Sequence, residues 1–241
     1  MRKSVLILLL TVTIIALMGV YNLFENGTNM IKAQGNEPAK EKKEITEIKL
    51  PPAKTVGKMT LEEAIPKRKS VRKYAPKEMS IEQVSQILWA AYGANPRNKN
   101  FISRNVPSAG GIFPMNVYLL DKNGIYRYDS LNHSLILVKK GDARADLCNA
   151  ATGQGSIKEA SIDLVITGDF AKCANRYGER APRYVAMEAG HIGQNVSLQA
   201  VALGLDTVMI GAFVDEAVAE VISAPKEETP LYIIPVGYAA E

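Results

Sequence analysis

The sequence predicts one α+β domain, a mixed and mainly antiparallel sheet flanked by helices, preceded by an N-terminal hydrophobic helix. Three observations carry that expectation. Val117–Leu120, the Asn123-Gly124 turn and Ile125–Tyr128 form a hairpin pattern. Thr60 with Glu63, and Ser80 with Gln83, have capping-box spacing and mark two helix starts. A helical stretch from Pro182 to Leu203 is closed by Gly204.

At 241 residues the chain holds one sizeable domain with a remainder for targeting and linkage. Met1-Arg2-Lys3 and the apolar run Val5–Val20, extendable through Phe24, read as a signal peptide or membrane anchor over 1–24. Residues 25–58 are polar, with the charge-dense Lys40–Glu44 and the Pro51-Pro52 pair, and read as a linker. The domain then spans 59–241. Arg2 and Lys3 place it outside the cytoplasmic membrane, so the expected localisation is membrane-anchored or secreted, with an extracytoplasmic domain.

The first helix starts at Leu61 and delivers Arg68, Ser70 and Arg72 just past its end. The second puts Ile81, Val84, Ile87, Leu88 and Ala91 on one face and stops at Gly93. Asn95–Asn105 reads as a loop leading to the Pro107 turn. After the hairpin, Leu135–Val138 continues the sheet, a helix covers about 143–151, and Ile162–Thr167 is a buried strand. The long helix carries Gly190 and Gly193, each costing about 1 kcal/mol against alanine, which implies close packing or ligand approach. Asp206–Ile210 reads as a strand, Asp215 as the cap of a helix to Ile222, and Leu231–Val236 as the last strand.

A net charge of +4, small and scattered, argues against nucleic acid as a partner. Cys148 and Cys173 lack CxxC spacing and signal neither a metal site nor a disulfide framework. His133 sits in a turn and His191 inside the long helix, with no serine or cysteine at triad spacing, so both read as packing residues. The chemistry concentrates elsewhere. Arg68-Lys69-Ser70-Val71-Arg72 offers cationic forks and a hydroxyl to a phosphate. Pro107-Ser108-Ala109-Gly110-Gly111 is a turn nearly without side chains, which lets backbone approach a flat ring system. Together they point to a phosphorylated planar cofactor.

Arg68–Tyr74, Leu88–Gly93, Pro107–Gly111, Gly124–Tyr128, Gly190–Asn195, Leu203–Leu205 and Pro230–Gly237 follow one another in an order that resembles the flavin-dependent nitroreductase fold, in particular its SagB-type dehydrogenase branch. The resemblance covers roughly Leu61 to Tyr238. It implies an FMN-binding homodimer whose two flavin sites lie between the protomers, with a small-molecule substrate and NAD(P)H as an electron donor. By that likeness Arg68, Lys69, Ser70 and Arg72 take the phosphate and ribityl chain. Pro107, Ser108, Ala109 and Gly110 face the flavin from the partner subunit, Ile210, Gly211 and Ala212 present backbone amides to its N5 and O4 edge, and Gln154 reaches the pyrimidine edge. No catalytic side chain is implied, because the flavin carries the reaction.

Two departures from the family pattern stand out. Gly211-Ala212 occupies the place where many relatives have Glu-Gly, and Val236–Glu241 lacks the base that several nitroreductases supply to the phosphate. The expected function is an FMN-dependent oxidoreductase passing hydride to or from a small organic molecule. The alternative is a non-catalytic, membrane-tethered flavin-binding or dimerisation module.

Overall fold

The computed structural model describes residues 46–98 and 101–241. The apolar run expected to form an N-terminal helix, and most of the linker, lie outside them. The expectation of a membrane-anchored or extracytoplasmic protein is corrected: among the described residues no helix is long and apolar enough to cross a membrane. Within the stretch read as linker, β1 (Glu47–Lys49) pairs with β6 (Ser134–Lys140), and Leu50 enters the core.

The main sheet has seven strands in the order β1-β6-β5-β4-β7-β9-β8, and each neighbouring pair is antiparallel. Here β4 is Met115–Leu120, β5 Gly124–Asp129, β7 Ile162–Asp169, β8 Asp206–Thr207 and β9 Glu228–Gly237. The two-residue alternation of a strand divides the core into two layers. Val117 and Leu119 of β4 face helices α2 (Ile81–Tyr92) and α6 (Ala181–Ala202), whereas Tyr118 and Leu120 face α3 (Arg144–Ala150) and α7 (Asp215–Val221). The central strand β7 is buried along almost its whole length, which is why it is mostly apolar, with Asp163 and Thr167 as buried polar exceptions.

Both capping boxes form. Thr60 accepts from Glu63 N at 3.2 Å and starts α1 (Leu61–Lys67); Ser80 accepts from Gln83 N at 3.3 Å and starts α2. Other elements differ from the sequence expectation. The stretch read as a loop at 95–105 holds a second sheet, the hairpin β2 (Ala94–Asn98) and β3 (Phe101–Arg104). Its large apolar residues, Phe101 and Ile102, are adjacent in sequence, so the hairpin offers no apolar alternation to detect. A helix that the sequence reading missed, α5 (Phe170–Tyr177), begins where the Asp169 side chain accepts from Lys172 N at 2.8 Å. Strand β8 is two residues long, with Ile210 rejoining the sheet by an isolated bridge to Ile233. Helix α7 is preceded by Val214, and Asp215 is its first residue rather than its cap.

Candidate flavin site

Arg68 closes α1, its N–H donating to Ala64 O at 3.1 Å, and the chain then runs extended along the β8 edge. Ser70 bridges Thr207 in parallel, Val71 N donates to Thr207 O at 3.1 Å, and Tyr74 bridges Ala239. Ala240 N donates to Lys73 O at 3.0 Å, so the basic segment is held on one side by β8 and on the other by residues 238–240. Tyr74 anchors it: the buried ring donates its hydroxyl to Val71 O at 2.8 Å, and burial pushes its pKa up. With that ring inside, Arg72 and Lys73 point out.

Lys73 pairs with Glu159 at 3.2 Å. Among the described residues Arg68, Lys69 and Arg72 form no ion pair. Three cations within five positions repel one another until an anion enters, and a phosphate dianion is the anion that guanidinium forks suit. Across the Ser70 bridge, Thr207 is buried and its hydroxyl has no hydrogen-bond partner.

Beyond Thr207 the strand carries the second set of expected residues. Ile210 N donates to Ile233 O at 2.9 Å, and Ile233 N returns a bond at 3.0 Å. The Ile210 amide is therefore committed to the sheet. Of the three residues expected to offer amides, Gly211 and Ala212 are exposed beyond that bridge. Gln154 joins them, its Nε2 donating to Ala212 O at 2.9 Å. Gly193 of α6 explains one interior glycine: a methyl there would overlap the Met209 sulfur, so α6 can lie against the strand just before Ile210. Gly190 has no such neighbour.

Among the described residues the Pro107–Gly111 turn makes its hydrogen bonds elsewhere. Gly110 and Gly111 have φ of 61° and 67°, in the left-handed region that glycine adopts without strain. Ser108 Oγ accepts from Phe113 N at 2.9 Å, and its hydroxyl lies near enough to Glu188 on α6 to act on that carboxyl's pKa. Glu188 is buried and also accepts from the Tyr92 hydroxyl at 2.8 Å. Burial raises its pKa, against the bonds from Ser108 and Tyr92 and the charges of His191 and Lys172. Arg176 Nη1 donates to Gly110 O at 3.3 Å from the end of α5. Glu188 and Arg176 were not foreseen. The signal for Glu188 was a carboxylate on the buried stripe that also holds Val185, Ala189, Ile192 and Val196.

The structure thus brings Ser70 to Thr207 and Gln154 to Ala212 on the sheet edge, and sets the Pro107–Gly110 turn on α5 and α6. Among the described residues no hydrogen bond joins the two groups. The donor set fits FMN: unpaired cations and an unpartnered hydroxyl for the phosphate and ribityl chain, and a strand end without bulky side chains for the ring edge. His133 belongs to the scaffold. Its Nε2 meets Ser85 Oγ at 2.7 Å and Pro51 O at 3.0 Å, and its Nδ1 meets the Tyr128 hydroxyl at 2.8 Å.

This combination of fold and basic edge is that of the nitroreductase-like flavoproteins. The nitroreductase family pattern matches residues 65–238, and the chain belongs to that family of flavin-dependent oxidoreductases. A Methanocaldococcus jannaschii protein that bears a nitroreductase name is 36% identical over 201 residues, covering 81% of this chain and 98% of its own. A crystal structure of a Ralstonia eutropha protein, likewise named as a nitroreductase, superposes with a TM-score of 0.73 at 30% identity, covering 81% of this chain and 90% of that one. The NADPH:FMN oxidoreductase of Vibrio harveyi, complexed with NAD+, shares the fold with a TM-score of 0.55 at 19% identity, covering 75% of this chain and 69% of that one.

Proposed function

We propose that the protein is an FMN-dependent oxidoreductase working as a homodimer, with reduced nicotinamide as electron donor and a small organic molecule as acceptor, in the manner of the SagB-type branch. The observation that carries this reading is the trio Arg68, Lys69 and Arg72, unpaired by any described carboxylate and fixed on the edge that ends in Gly211 and Ala212. Arg68 and Arg72 hold the phosphate by charge-assisted hydrogen bonds, with Ser70 beside them. Gly211 and Ala212 offer amides to the flavin N5 and O4 edge, and Gln154, which holds the Ala212 carbonyl, lies toward the pyrimidine edge. Bound flavin supplies hydride acceptance and donation; the protein supplies position and field.

That no hydrogen bond among the described residues joins the Pro107–Gly110 turn to the phosphate cluster agrees with completion of each site by a second copy. Exposed Leu61 and Ile65 on α1, with exposed Met187 on the adjacent α6, provide an apolar surface for that copy. A relative's FMN and NAD+ chemistry, as its name states it, agrees with this reading. The second reading, a flavin-binding module without turnover, is favoured by Gly211-Ala212 and by the absence of a base in Val236–Glu241. Flavin absorbance of the pure protein, followed by anaerobic NAD(P)H titration, separates the two. Bleaching identifies the enzyme, bound flavin that does not bleach identifies the module, and protein that never takes up FMN ends both.

A further inference from the structure

A cavity of about 360 Å³ opens beside the Pro107–Gly111 turn, between the ends of β4 and β5 and the base of α5. Its size suits one small ring compound. Three cations line it, Arg104, Arg127 and Lys172, against a single acid, Asp129. Most of these charges are already engaged. Asp129 accepts from Leu131 N at 3.0 Å and from Asn132 Nδ2 at 2.7 Å within its own turn. Arg127 donates to Asn116 at 2.6 Å and lies 3.9 Å from Glu228. Lys172 donates to Phe113 O at 3.0 Å.

Arg104 differs from them. Among the described residues it has no carboxylate partner, its Nη1 reaches only the neighbouring Ser103 carbonyl at 3.2 Å, and its buried Nε has no partner at all. Its guanidinium lies 5.6 Å from the Tyr92 ring centroid and 5.4 Å from that of Phe113, and the two rings meet edge to face at 6.5 Å. Rings at this distance offset part of the cost of removing the cation from water, yet they supply no anion. A positioned, half-desolvated guanidinium between aromatic walls is a receptor for a planar carboxylate, whose oxygens take the fork while its ring stacks or abuts the aromatic side chains.

We infer that this cavity is a substrate subsite selecting a small planar organic acid, with Arg104 as the residue that sets the preference. The inference rests on the oxidoreductase reading, because Phe113 on the cavity wall lies two residues past the turn that this reading sets against the flavin. Its placement agrees: Lys172 on the cavity wall and Arg176, which binds Gly110, lie one helical turn apart on α5.

The test compares 4-nitrobenzoate with 4-nitrobenzamide as acceptors for the FMN-loaded, prereduced protein. The expected kcat/KM favours the acid on the order of tenfold, as for one added charge-assisted bond, with the difference in KM. Arg104→Gln removes the preference, and Arg104→Lys keeps part of it. Equal rates for the two acceptors, or a preference that survives Arg104→Gln, overturn the subsite. A binding measurement stands apart from flavin chemistry: calorimetric titration of the wild-type protein with benzoate and benzamide. Benzoate binding that exceeds benzamide binding supports the subsite even if nicotinamide never reduces the protein, and no difference overturns it even if the protein is an active reductase.

Discussion

Glu188 accepts the Tyr92 hydroxyl at 2.8 Å, and Tyr92 in turn accepts Met115 N at 3.3 Å, so one buried carboxylate couples α6, α2 and the first residue of β4. Ser108 of the Pro107–Gly111 turn acts on the same carboxyl group. Replacing it with alanine removes the acceptor of the buried Tyr92 hydroxyl and opens a void. Glu188→Ala is expected to cost about 2 to 4 kcal/mol and to loosen the turn, while Glu188→Gln keeps the shape and most of the stability. Urea unfolding of the two variants, with flavin retention measured alongside, checks both statements.

Asp163 on β7 is fully buried, and neither of its oxygens has a hydrogen-bond partner. Arg144, whose charge acts on it, is committed to Asp142 at 2.7 Å and to Ala160 O at 2.8 Å. Burial raises the Asp163 pKa well above the ordinary carboxyl value. The native state therefore keeps a proton that the unfolded chain releases above about pH 4. Its contribution to stability is complete below that pH and declines as pH rises through the folded value. Asp163→Asn is expected to flatten this decline and to stabilise the protein at pH 8 by about 1 kcal/mol or more relative to pH 5, read by denaturant unfolding at the two pH values.

His133 acts in the opposite direction to Asp163, its pKa lowered by burial against the bond to Pro51 O. A depressed histidine pKa gives stability that is full above the unfolded value near 6.5 and lost as pH falls through the folded one. His133→Ala removes that dependence and also the links to Ser85, Tyr128 and Pro51, at about 1 to 3 kcal/mol at pH 7. Thermal melts between pH 5 and pH 7 should show a shallower slope for the variant than for the parent.

Arg68→Gln with Arg72→Gln should separate binding from folding. Both side chains lack ion pairs among the described residues, so apo stability should change by less than about 0.5 kcal/mol. The FMN dissociation constant should rise on the order of a hundredfold, since two charge-assisted bonds are lost. Fluorescence titration with FMN measures that ratio, and an unchanged constant would sink the phosphate assignment.

Gly110→Ala tests the turn. At φ 61° an alanine is strained by about 1 to 2 kcal/mol, and its methyl would come 2.7 Å from the Tyr177 hydroxyl and 2.8 Å from Arg176 Nη1. Both are ends of flexible side chains and can swing away, so the fold survives while the Arg176 bond to Gly110 O is lost. A folded variant with reduced flavin retention is the expected result, seen by circular dichroism and absorbance.

Much of this fold was legible in the sequence because its signals are local. Thr60, Ser80 and the Asn123-Gly124 turn act through residues one to three positions away, and the structure places an element boundary at each. The 94–104 hairpin was missed because its few large apolar residues, Phe101 and Ile102, are adjacent and set no period. Helix α5 was missed because its start depends on a single Asp169 cap and only Cys173 of its residues is buried. At the site, residue types revealed the basic cluster and the bare turn. They could not reveal that the Ile210 amide is taken by Ile233, nor that Glu188 and Arg176 hold the turn, because those bonds join distant parts of the chain.

The clamp on Ser70–Tyr74 has a temporal consequence. The segment's two neighbours, Thr207 and Ala239, are translated long after it, so a growing chain exposes these cations without either edge to fix them. On the proposed reading, cofactor capture belongs to the final stage of biosynthesis. Ribosome-stalled chains halted before Val236 has emerged should bind no FMN, however much of the helical layer they have already assembled.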